Sequence, residues 1–163
     1  MAKRAVKIKI IIEGFKNLFD FQGQPLPLKF KKGLIYVPDR TSLRDRRAGL
    51  KLKDNVGFIT IKEIVKGNRC VGYVYRFCSS EYECLTYRES DNIDDRCRDF
   101  SFHYQKCEDN TPHDPHVSVL YPSIRYHSRE IGLKEFLFFI KETFFTPEGT
   151  RKKDPIWCNR FEK

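Results

Sequence analysis

The sequence predicts an α+β fold: an antiparallel β-sheet with a C-terminal amphipathic helix packed on one face. Three observations predict it. From residue 56 onward, short stretches alternate apolar and polar residues with period two and are separated by turn residues. Near the end, Leu133, Phe136, Leu137, Ile140 and Phe144 fall at i, i+3, i+4, i+7 and i+11, the core-facing stripe of a helix. Strands that run consecutively and are followed by one late helix argue for α+β rather than for helices alternating with strands.

Taken in order, Val6, Ile8, Ile10 and Ile12 alternate with Lys7, Lys9 and Ile11, which predicts a first strand ended by Gly14. Gly23, Pro25 and Pro27 break the chain before a short strand at 28–30. Lys31, Lys32 and Gly33 form a turn into 34–37, and Pro38 stops that strand. Residues 39–53 lack an apolar period and read as an exposed basic loop, with Thr41 or Ser42 able to cap a helical turn. Strands follow at 58–65 and 70–77 around the turn 66–68, then at 82–87. Residues 89–95 form an acidic connector, and 98–105 returns as a strand with Phe100, Phe102 and Tyr104 on one face and Ser101 and His103 on the other. Val117, Val119 and Tyr121 alternate in the same way. The helix from Leu133 is closed by Pro147 and Gly149; Phe138, Phe139 and Phe145 widen its apolar band, and Trp157 and Phe161 offer anchors for the tail. The organisation expected is a basic N-terminal strand and loop extension over 1–53, an α+β domain over 54–146 and a basic tail over 147–163.

Charge divides the chain unevenly. Residues 1–53 hold 14 Lys or Arg against 4 Asp or Glu, whereas residues 54–163 hold 17 against 18. A basic third attached to a neutral domain points to an anionic partner, nucleic acid first and an acidic protein second. Arg40, Arg44, Arg46, Arg47, Lys51 and Lys53 are the candidate phosphate contacts, Arg supplying bidentate charge-assisted bonds. The bland alternative is a solvated basic surface. No apolar run approaches the roughly 20 residues of a membrane span. Lysines interrupt 6–12, so no signal-peptide core is expected there and the expected location is cytoplasmic. The six cysteines, Cys70, Cys78, Cys84, Cys97, Cys107 and Cys158, include no C-x-x-C pair and read as reduced and structural.

The densest concentration of reactive groups is residues 109–127, which hold three of the four histidines (His113, His116 and His127) together with Asp109, Asp114 and Arg125. Pro112 and Pro115 fix φ and push the preceding residue toward extended geometry, so His113 and His116 are expected on a non-helical loop. The candidate catalytic set is His113, His116, His127, Asp109 and Arg125: the histidines suit general acid–base chemistry near neutral pH and Arg125 suits a developing phosphorane charge. The same histidines, His113, His116 and His127, can with Asp109 hold a divalent metal; in the acid–base reading no cofactor is needed. A third alternative is an Asx-type turn whose histidines satisfy backbone groups. His116-Val117-Ser118 is one half of a paired H-x-[ST] phosphoesterase motif, and no second copy follows His103 or His127. No Gly-rich phosphate loop, G-x-S-x-G or H-E-x-x-H occurs.

Residues 98–145 resemble the TumE-type toxin family of prokaryotic toxin–antitoxin pairs. Phe102 to Gln105 stand for the family's aromatic strand, and Asp109-Asn110-Thr111-Pro112-His113-Asp114-Pro115 matches its central motif. Pro122 to His127 stand where its second His segment lies, and 133–144 matches the closing helix. Cys107-Glu108 replaces an Arg-Trp pair of the family, and Ser123 to Tyr126 replace inner histidines. The resemblance implies a small toxin-like protein that acts on RNA and is held by an antitoxin-like partner. Two functions follow as expectations. One is an RNA-cleaving enzyme using His acid–base chemistry. The other is a non-catalytic RNA- or DNA-binding or assembly subunit that uses the basic third, with RNA the more expected nucleic acid.

Overall fold

The computed structural model describes residues 2–21, 23, 25–37, 49–79, 100–105, 113–119, 124–127 and 130–153; at 78–79, 100–105, 113–119 and 124–127 the description is of the backbone. The expected helical turn after Thr41 or Ser42, the strand at 82–87, the acidic connector at 89–95 and the anchors Trp157 and Phe161 lie outside the described residues.

Among the described residues eight strands form one sheet: β1 (Lys29–Lys31), β2 (Leu34–Tyr36), β3 (Leu50–Lys51), β4 (Gly57–Lys66), β5 (Arg69–Ser79), β6 (Phe100–Gln105), β7 (His113–Val119) and β8 (Ile124–His127). Their order is β1-β2-β4-β5-β6-β7-β8, with β3 pairing along β4, and every pairing is antiparallel. Two α-helices, α1 (Ala2–Gly14) and α2 (Leu133–Phe144), and two short 3-10 turns, Lys16–Leu18 and Lys53–Asn55, complete the described fold. It is therefore α+β, an antiparallel sheet with a C-terminal helix. Gly33 (φ 73°) and Gly67 (φ 64°) supply the left-handed backbone that the β1–β2 and β4–β5 turns need.

Alternation along β4 decides which face is covered. Ile59, Ile61, Glu63 and Val65 are buried, whereas Lys62 and Lys66 are exposed and Phe58, Thr60 and Ile64 lie between. The β4–β5 register places Phe77, Tyr75 and Tyr73 opposite Ile59, Ile61 and Glu63, and all three are buried. Against this face α2 lays Phe136 on Tyr75, with ring centroids 5.4 Å apart, and Phe144 on Phe77 at 4.4 Å. Each such ring removed from water contributes on the order of 1.5–3 kcal/mol, with a further increment for the stacked geometry. At the start of α2, the Gly132 amide donates to the Glu135 carboxylate at 3.3 Å, so the side chain of the first turn caps its own helix. Phe138 is half exposed, so α2 buries one broad face rather than its whole circumference.

Residues 6–12, expected as a strand, lie within α1. Ile8 and Ile12 are four apart, a spacing that fits both a period of two and a period of 3.6. Ala5 and Ile10 discriminate: Ala5 is buried and Ile10 is 66% exposed, which only the helical period allows. The β-branched residues favour strand locally, but packing of Ala5, Ile8 and Ile12 in the common core, where α1 also meets α2, outweighs propensity. Among the described residues of the first third, α1, β2 and β3 supply core residues and β1, β2 and β3 join the sheet. The segment after α2 also docks. Arg151 Nη1 donates to the Asp54 and Asn55 carbonyls, at 3.3 and 3.1 Å, where those two residues turn left-handed.

Candidate functional site on the open sheet face

Two groups of chemically active residues stand out, one on each face of the sheet. Under α1 lies a buried polar group. Glu63, with no exposed surface, accepts from Arg4 Nε at 2.6 Å and Arg4 Nη2 at 2.8 Å, and from the Tyr75 hydroxyl at 2.7 Å. The bidentate arrangement and the third donor satisfy a carboxylate that burial would otherwise strongly disfavour. It raises the Arg4 pKa further above its ordinary value. Beside it, burial first and the Glu63 charge second push the Cys70 thiol up to about 12. Burial and the same charge hold Tyr75 well above the usual phenol range. A thiol held protonated in this way is no nucleophile at neutral pH. This group therefore fastens α1 to the sheet.

The opposite face has a different composition, and the strand register defines it. Lys29 pairs with Tyr36, Tyr36 with Lys62, Lys62 with Val74, Val74 with His103, His103 with His116, and His116 with His127. Directly opposed positions of an antiparallel sheet lie on the same face. These seven residues form one row across seven strands. On one side of it runs Lys31–Leu34–Ile64–Gly72–Gln105–His113, and on the other Thr60–Arg76–Ser101–Ser118–Arg125. The three rows contain five Lys or Arg, all four histidines of the chain and no carboxylate.

His113 and His116 do not lie on a loop; both belong to β7. The extended geometry that the prolines impose is itself strand geometry. Three residues apart, they would occupy opposite faces of a regular strand. The register skips between His103–His116 and Gln105–His113, leaving Asp114 and Pro115 opposite Tyr104. This bulge accommodates Pro115, which cannot donate to a ladder, and returns His113 to the face that holds His116. Arg125 and His127, two apart on β8, share that face as well.

Of the residues expected to be catalytic, His113, His116, His127 and Arg125 are therefore brought onto one face of two adjacent strands, and Asp109 lies outside the described residues. Sequence reasoning omitted His103, which the register inserts into the same row. The available signal was the Ser101/His103 polar face of β6, once β6, β7 and β8 are taken as consecutive antiparallel neighbours. Of the expected phosphate contacts, Arg40, Arg44, Arg46 and Arg47 lie outside the described residues. Lys51 is half-buried, 3.8 Å from the Asp20 carboxylate. Lys53 sits 5.9 Å from the centroid of the Phe145 ring and lines a cavity of about 310 Å³ with Lys141 and Glu148. The exposed cations of the row, Lys29 on β1 and Lys62 on β4, were not singled out from sequence because they are 33 positions apart and only the strand register brings them into one row.

Among residues with described side chains, no group of three or more His, Cys, Asp or Glu is placed to hold a metal, and Cys70 is a free thiol. Among the described residues, no helix is long and apolar enough to cross a membrane. Compared with family models, curated proteins and solved structures, the chain shows no match, so its own residues carry the functional argument.

Proposed function

We propose that the protein is a toxin-like, RNA-targeting protein that cleaves RNA by histidine acid–base chemistry on the open face of its sheet. The observation that carries this reading is the gathering of all four histidines and Arg125 at neighbouring positions of β6, β7 and β8, on a face whose rows hold no carboxylate. Neighbouring positions across strands are about 5 Å apart and those two strands apart about 10 Å, a span that suits two proton-transfer groups acting on one phosphodiester. In this reading His113 takes the proton of a ribose 2′-hydroxyl as its oxygen bonds to phosphorus. His127 or His116 gives a proton to the 5′-oxygen as the P–O5′ bond breaks, leaving a 2′,3′-cyclic phosphate. Arg125, in the row beside them, offsets the charge of the phosphorane. The resemblance of 98–145 to TumE-type toxins agrees with an RNA target and with control by an antitoxin-like protein.

Incubation of the purified protein with labelled RNA, with and without EDTA, tests the reading. Cleavage that persists in EDTA and falls 10²- to 10⁴-fold in His113→Ala is expected. Intact RNA in both conditions, or cleavage indifferent to His113→Ala, overturns it. A second reading, a divalent metal held by His113, His116 and His127, is supported by their shared face and requires EDTA to abolish cleavage. Salt-sensitive RNA binding without any cleavage favours the non-catalytic binding or assembly role.

A further inference from the structure

The histidines occupy only one end of the long row. Its other end, on β1, β2 and β4, holds Lys29, Tyr36 and Lys62. Lys29 and Lys62 are exposed and Tyr36 is half-buried. Two lysines elsewhere pair with carboxylates, Lys16 with Glu13 and Lys51 with Asp20. No carboxylate of the described residues pairs with Lys29, Lys31 or Lys62. Six inter-strand steps of about 4.8 Å make the row roughly 29 Å long. Two cations, Lys29 and Lys62, on either side of the Tyr36 ring match the phosphates and stackable bases of an unpaired strand. A duplex hides its base faces and offers Tyr36 nothing to stack on.

We propose that this row is the track of a single-stranded RNA laid across the strands, entering at Lys29 and reaching the histidines on β6, β7 and β8. The proposal rests on the RNA-targeting reading above and adds the substrate class and its path. Lys29 and Lys62 contact phosphates, Tyr36 stacks a base, and the strand continues over Val74 to His103. At the 3.4 Å rise of a stacked strand the row spans about 8 nucleotides, and fewer when the strand is extended.

Fluorescence anisotropy with oligoribonucleotides of 4, 8 and 12 residues and with a blunt duplex, alongside cleavage of the same RNAs, tests the track. Affinity is expected to rise from 4 to 8 nucleotides, to gain little beyond, and to be weaker for the duplex. Lys29→Ala/Lys62→Ala is expected to weaken binding about tenfold and to flatten its salt dependence by the equivalent of two phosphates. Tyr36→Ala is expected to weaken binding about fivefold or more. The control Lys7→Ala/Lys9→Ala changes two exposed cations of α1, across the sheet, and is expected to leave binding within twofold. Equal losses in the two lysine pairs, a preference for duplex, or His113-dependent cleavage untouched by all the row variants overturns the track and leaves the chemistry standing. Length-dependent, Tyr36-dependent binding without cleavage keeps the track and overturns the chemistry. An absence of any RNA binding overturns both.

Discussion

Glu63 is the residue on which the covered face depends most sharply. It occupies a β4 position whose neighbours across the sheet are Ile35 and Tyr73, so the strand pattern alone would place an apolar residue there. A carboxylate with no exposed surface persists because Arg4 reaches it from α1 with two hydrogen bonds and Tyr75 supplies a third. Removing one partner leaves the other charge buried, whereas removing both need not be costly. Arg4→Ala is therefore expected to destabilise the protein by roughly 3–5 kcal/mol. The double variant Arg4→Leu/Glu63→Leu should lose less than half of that, measured by chemical denaturation. If the double variant proves at least as unstable as Arg4→Ala, the pair contributes net stability of its own and this account of it is wrong.

At the scale of elements, α1 gives the clearest separation of local preference from packing. A strand over 6–12 would place Ile8, Ile10 and Ile12 on one face, making them equivalent. The helix buries Ile8 and Ile12 and leaves Ile10 66% exposed. Ile8→Ala is accordingly expected to cost about 2–5 kcal/mol, and Ile10→Ala less than about 0.5 kcal/mol, within the usual surface range. Similar losses at both positions would restore the strand. The helix α2 was legible because five apolar residues repeat at helical spacing, and β4–β5 because long alternating runs flank Gly67 and Asn68. By contrast, α1 was misread because Ile8 and Ile12 fit both periods and β-branching favours the wrong one. The strand β7 was hidden behind Pro112 and Pro115, which signal a loop when read locally but fit a strand once a bulge absorbs Pro115. The histidine face was half legible. Clustering in the chain marked His113, His116 and His127, but their common face and the inclusion of His103 depend on a register skip between β6 and β7 that no local pattern encodes.

Among the described residues the sheet separates two kinds of titratable group, structural ones beneath the helices and the histidine positions on the opposite face. Beneath the helices, burial pushes Cys70 up to about 12 from an ordinary thiol value of 9.0, and Tyr73 up to about 12 from 10.0. Tyr75 is also raised well above 10.0. Tyr73 is fixed there as its hydroxyl accepts from the Ile131 amide at 2.9 Å, just before α2. For all three groups the folded state holds its proton more tightly than the unfolded chain. The contribution of Cys70 is whole below about pH 9 and that of the two tyrosines below about pH 10; each is lost as pH rises, toward about 12 for Cys70 and Tyr73, because the unfolded chain has already released protons that the folded one keeps. Denaturation midpoints are expected to stay level from pH 7 to 9 and to fall steeply above it. Cys70→Ala should shift the onset of that fall upward, toward the tyrosine range. Histidine ordinarily titrates near neutrality, so on the proposed reading RNA cleavage should change with pH well below the alkaline loss of stability. Two separate pH transitions, the lower abolished by His113→Ala and the upper shifted by Cys70→Ala, are the expected signature of this two-sided sheet. A single transition in which activity and folding are lost together would mean that the histidines serve the fold rather than a site.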